Sequence, residues 1–93
     1  MPAVARKGDP GRVHCSGYTI ATGSDDVYVN GRPAARVRDS STSHQGSGCI
    51  PHVSTIAAGS DSVFVNNRPL AREGDRLSGC TSIAAGSGDV FAG

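Results

Sequence analysis

The stretch "SGYTIATGSDDVYVNGRPAARVRDS" (Ser16–Ser40) decides the fold, because the chain says it again. "HVSTIAAGSDSVFVNNRPLAREGDR" (His52–Arg76) follows the same pattern, and "CTSIAAGSGDVFAG" (Cys80–Gly93) begins a third copy. Ile20, Ile56 and Ile83 correspond. Each is followed by a Gly-Ser pair, then by Val27, Val63 or Val90, and then by an aromatic: Tyr28, Phe64 or Phe91. The segment after the second hairpin half also recurs, as "ARVRD" (Ala35–Asp39) and "AREGD" (Ala71–Asp75). Its third copy is "ARKGD" (Ala5–Asp9), at the other end of the chain. The N-terminus therefore completes the unit that the C-terminus leaves unfinished, and the chain holds three units in circular order.

Each unit reads as strands joined by turns. "VYVNGRPAAR" alternates and then carries Asn30-Gly31, a two-residue hairpin signal. The second copy uses Asn66-Asn67, which also tolerates positive φ. The Gly-Ser pairs mark the other turn. Pro33 and Pro69 cannot donate to a ladder and suit strand starts or edges. No helical periodicity of useful length is present. The expected fold is all-β: three β-hairpin repeats related by pseudo-threefold symmetry, with Tyr28, Phe64 and Phe91 forming one layer about the axis. The repeated Ile, Val and aromatic positions are candidates for core and for the broad end alike.

The composition bounds the function. Ninety-three residues make one small domain, with no Trp, four aromatics and 13 Gly. Such a chain buries only roughly 60% of its unfolded surface, and a core this thin calls for a staple or a partner. Nine basic and eight acidic residues are scattered singly for a net charge of +1, so no stripe invites nucleic acid. No apolar run approaches the ~20 residues of a membrane span, and "MPAVARKGDP" lacks the apolar region of a signal peptide. An odd number of cysteines (Cys15, Cys49, Cys80) without a CxxC pair makes a disulfide framework a weak reading. No carboxylate pair is placed for acid–base work. Arg6, Arg36 and Arg72 repeat with Asp9, Asp39 and Asp75, and read as a structural ring with turn hydrogen bonds, since catalysis does not need triplicates.

Metal ligation is the better reading of the soft side chains. Five residues beyond the three aspartates stand His14, His44 and Cys80. Three ligand types at one repeat position can converge on a threefold axis, which makes three-quarters of a tetrahedral site. The symmetry breaks in the middle unit, whose loop to the repeat isoleucine is the longest. That loop holds Cys49 and His52, and either can supply the fourth ligand. Cys15 has no counterpart in the other units (Gln45, Thr81) and reads as packing or exposed. Four protein ligands leave no position for a water, so the metal would serve folding.

These residues resemble a known family. Pro33-Ala34-Ala35-Arg36 is the signature of the PAAR-repeat proteins, "RPLAR" (Arg68–Arg72) is its second copy, and the resemblance covers essentially the whole chain. It implies a β-stranded cone with a metal-tied apex, a structural tip and not an enzyme. Its broad base would sit on the trimeric VgrG-type spike of a type VI secretion system and sharpen it for piercing membranes. A phage or pyocin-like contractile tail is the alternative setting, and a small zinc metalloenzyme a remote one. The family's zinc ligands, three histidines and a cysteine, fall here on His14, His44, His52 and Cys80. One Zn(2+) per chain, one chain per spike trimer, effector proteins as cargo and transient contact with a target membrane are the implied partners. The chain would be cytoplasmic during assembly and then delivered outside by the contractile machinery. The repeats fill residues 1–93, which leaves no room in this sequence for a toxin domain. The pattern departs at Arg38, where the other units have Gly8 and Gly74.

Overall fold

The two Asn-led turns fold as their sequence asks. Asn30 and Gly31 have φ of 55° and 75°, and Asn66 and Asn67 have 54° and 63°. These are the left-handed values that a two-residue hairpin turn requires. The turns join β1 (Tyr28–Val29) to β2 (Arg32–Pro33) and β5 (Phe64–Val65) to β6 (Arg68–Pro69), both antiparallel in the same register. A third pair, β3 (His44–Gly46) and β4 (Cys49–His52), lies between them in sequence. The computed structural model describes residues 1–13, 16–46 and 49–93, and among these there is no helix.

The third copy of the repeated hairpin is built from both ends of the chain. Phe91 bridges Ala3 as Tyr28 pairs with Pro33 and Phe64 with Pro69. The Val4 amide donates to Val90 O at 2.9 Å, matching Ala34 to Val27 and Leu70 to Val63 at 2.9 Å each. The circular order read from the sequence is thus closed in space.

The three units meet at the axis through their shortest side chains. The Ala35 amide donates to Ala5 O, Ala71 to Ala35 O and Ala5 to Ala71 O, at 2.9–3.0 Å. This is a closed triangle of backbone hydrogen bonds, and all three alanines are fully buried. A longer side chain here would hold the backbones apart. Next along the axis lie Ile20, Ile56 and Ile83, also buried. Each isoleucine donates its amide to the carbonyl of Asp9, Asp39 or Asp75 at 2.9 Å.

The aspartates terminate the turns that lead to that layer. In each unit the Asp amide donates to the Arg carbonyl three residues earlier at 3.0 Å. The Asp carboxylate in return accepts that Arg's amide and its guanidinium (Arg6–Asp9, Arg36–Asp39, Arg72–Asp75). The third residue of such a turn takes positive φ: Gly8 and Gly74 at 91°, Arg38 at 78°. The sequence's one departure from glycine thus keeps the turn and holds an arginine in the left-handed region. Arg32 and Arg68 add a second guanidinium to Asp9 and Asp39. Among the described residues Asp75 has Arg72 alone, because Pro2 occupies that register position.

One expectation is corrected. Tyr28, Phe64 and Phe91 occupy equivalent positions but do not pack as a layer about the axis; they are 56%, 56% and 49% exposed. Alternation along a strand sends neighbours to opposite faces. The inward positions go to Val29, Val65 and Ala92, which join Val4, Ala34 and Leu70 in a second apolar cluster. Val27, Val63 and Val90 remain over a third exposed beside the aromatics. One end of the molecule, whose extents are 37 × 24 × 21 Å, therefore shows three copies of a Val-aromatic pair.

Candidate metal centre

The middle unit spends its extra residues on a hairpin. β3 and β4 pair with His44 directly opposite His52, and a register irregularity separates that pair from Gly46–Cys49. Opposed residues on a two-stranded ribbon share a face, so the two imidazoles meet edge to face with ring centroids 4.1 Å apart. The third unit brings Cys80 to them. Its amide donates to Leu77 O at 3.2 Å, closing a turn in which Gly79 takes a φ of 66°. That turn carries the reduced thiol of Cys80 to 3.4 Å from His44 Nε2.

One ligand atom from each of His44, His52 and Cys80 lies within 4.8 Å of the others. In a tetrahedral site with metal–nitrogen bonds of about 2.0 Å and metal–sulfur bonds of about 2.3 Å, nitrogen and sulfur stand roughly 3.5 Å apart. The His44–Cys80 separation fits that value. The tautomers fit as well. His44 Nδ1 meets Thr42 O and His52 Nδ1 meets Ile50 O, each at 3.0 Å. A carbonyl can only accept, so both Nδ1 atoms donate, and the lone pair of each neutral ring sits on Nε2. A backbone carbonyl behind each histidine is the usual support of a metal ligand. These three residues could hold a metal ion.

The structure thus brings together His44, His52 and Cys80 from the expected set. Between the two candidates in the long loop, His52 stands in the group, whereas Cys49 is disulfide-bonded, which corrects the reading of a disulfide as weak and leaves its sulfur no part in metal binding. His14 and Cys15 fall outside the described residues.

Tyr18 is the site residue that the repeat pattern passed over. It is buried, and its ring stacks on His44 at 4.6 Å with 19° between the planes. Its hydroxyl lies 3.0 Å from Thr81 Oγ1, and Thr81 in turn donates to Arg12 O at 2.5 Å. Burial raises the Tyr18 phenol above its ordinary pKa, and Cys80 adds to that shift. Tyr18 takes the place that Ser54 and Thr81 hold in the other units. The facing positions are Gly11, Ser41 and Leu77, each donating its amide to the carbonyl opposite. Glycine is required in the first pair: a Cβ at Gly11 would stand 2.0 Å from the Tyr18 ring. A signal was present, since Tyr18 is the one aromatic outside the threefold register.

The family model described as the PAAR motif matches the chain twice, over residues 2–47 and 48–93. The first match contains His14 and His44, and the second contains His52 and Cys80. No curated protein is significantly similar to the chain.

Proposed function

Because the chain belongs to the PAAR-motif family, a family of structural tip proteins, we propose that it caps the trimeric VgrG-type spike of a type VI secretion system. The carrying observation is the triplicated surface: Val27–Tyr28, Val63–Phe64 and Val90–Phe91, half-exposed at one end of a pseudo-threefold body. A single chain meets a threefold partner most economically by carrying three copies of its own contact. The paired strands beside these residues are only two residues long. Their outer edges can extend a partner's β-structure by strand addition. The chain is then assembled in the cytoplasm and leaves it on the spike, with effector proteins as further cargo.

Zn(2+) is the metal this donor set suits, held by His44, His52 and Cys80 with His14 as the fourth ligand. Imidazole and thiolate in a four-ligand site select zinc over harder cations. Bound there, zinc supplies a cross-link and no chemistry: it ties the middle unit's hairpin to the last unit's turn. Apparent zinc binding of about 10–16 kcal/mol in small domains would stiffen an apex that the isoleucine core alone supports weakly.

Two measurements test this reading. Co-purification with a candidate spike trimer should yield one chain per trimer. Phe64→Glu should weaken that complex at least tenfold with little change in the melting temperature, because the side chain is already half in water. Retention of binding by a double variant with Tyr28→Glu would sink the docking face. Elemental analysis should find one zinc per chain, lost in Cys80→Ser and in His44→Ala; native protein free of metal would overturn the site.

A further inference from the structure

We propose that Tyr18 is the positioning residue of the metal centre, fastening the Cys80 turn and the His44 ring with one side chain. The proposal rests on reading the apex as a metal site. Three contacts carry it. The Tyr18 ring lies against His44 nearly parallel, which fixes the imidazole plane that the Nδ1–Thr42 bond alone would leave free to tilt. The Tyr18 hydroxyl and the Thr81 hydroxyl form a relay with a defined direction. Thr81 donates to Arg12 O, a carbonyl that can only accept. Thr81 Oγ1 must therefore accept from Tyr18 at 3.0 Å. The relay links segments 63 residues apart: it joins the first unit, in which His14 follows Arg12 by two positions, to the residue next to Cys80.

The asymmetry is the second argument. In the other two units the same pair of positions is Ser41–Ser54 and Leu77–Thr81. Only the first unit spends a glycine to admit an aromatic ring, and Gly11 leaves no room for a methyl group beside it. A core layer needs only volume. This one places its largest side chain, with its polar end satisfied, directly under two candidate ligands. Residues that orient ligands typically account for about 10–100-fold in metal affinity.

The experiment uses the full chain loaded with zinc and a competing chromophoric chelator. Tyr18→Phe keeps the ring and should weaken zinc retention about 10-fold. Thr81→Val should do the same, and the two together should cost no more than either, because they break one relay. Tyr18→Leu, which also removes the stacking, should release zinc faster still. Ile83→Val serves as a control that loosens the core while leaving zinc exchange unchanged. In zinc-stripped protein, Tyr18→Phe should speed hydrogen exchange at the Cys80 amide. The proposal is overturned if Tyr18→Phe and Thr81→Val retain zinc like the parent, or if their effects add. A parent protein that binds no zinc would instead overturn the metal reading, and the Cys80 exchange rate would then decide alone whether the relay holds that turn.

Discussion

At Arg38 the chain accepts what its other two units avoid. An L-residue in the left-handed region costs roughly 1–2 kcal/mol, and Gly8 and Gly74 escape that cost at the same turn position. Gly74→Ala meets no neighbouring atom within 4 Å. It should lower the urea-unfolding free energy by about 1 kcal/mol through backbone strain alone. Gly11→Ala should cost more, because there the obstacle is a buried ring. Charge adds a pH dependence. Burial by itself would raise the Asp39 carboxyl, but the Arg36 guanidinium, the Thr22 hydroxyl and the Arg36 amide hold it below its ordinary 3.8. A carboxylate depressed on folding contributes stability that is present above the unfolded value and lost as pH falls through the folded one. The urea midpoint should therefore hold steady near neutrality and drop below pH about 4. Asp39→Asn should start lower and flatten the acid limb.

Elements two residues long cannot hold themselves, and their turns do the work. Ser24 Oγ accepts the amides of Asp26 and Val27 at 3.2 and 2.9 Å and reaches Asn66 Oδ1 at 2.7 Å. Asn66 also accepts Arg36 Nη1 and donates to Asp26. Ser87 repeats this with Asn30 and Asp89. Ser60 ends instead on the carbonyl of Gly93, the residue standing where an Asn would be. Each Ser thus caps its own turn and ties it to the next unit's hairpin. Ser24→Ala removes the acceptor of two part-buried amides, and equilibrium unfolding should report a loss of about 0.5–1.5 kcal/mol. The repeats made this much legible, since Asn, Ser, Arg and Asp recur at fixed offsets. They did not reveal which apolar positions face inward. Equivalence by symmetry says that Tyr28, Phe64 and Phe91 share an environment, not which one, and strands this short carry too little alternation to decide. Tyr18 stayed hidden for the converse reason: its role belongs to one unit, and a repeat pattern discards what is not repeated. His52 was narrowed to two candidates by spacing. The hairpin register, a property of backbone pairing, placed it opposite His44.

Across the whole molecule the symmetry is kept at the Val-aromatic pairs and broken at the candidate ligands. At one end three Val-aromatic pairs are near copies; at the other, His44, His52 and Cys80 come from two units only. A body that is threefold at its Val-aromatic pairs and asymmetric at its candidate ligands divides its labour along its length. The apolar clusters of the body contain none of the three candidate ligands as members, although Cys80 packs against one of them. Treatment with a chelator that strips metal from the candidate site should therefore leave the Ala and Ile layers protected in hydrogen exchange while the β3–β4 hairpin and the Cys80 turn become exposed. Loss of protection throughout would mean that the layers cannot stand without the apex.

The seam between Gly93 and Met1 has a consequence for connectivity. Ala92 donates to Pro2 O, and Phe91 faces Ala3 as in the two unbroken hairpins. By register, Gly93 and Met1 stand where Asn30 and Gly31 turn. A peptide bond between them with no added linker would form a third turn of the same length. The polypeptide could then be opened at Asn30-Gly31 or at Asn66-Asn67 instead. Such circular permutants should reach the same fold, since only the address of the cut changes. In this architecture the ends of the chain are a position on a ring.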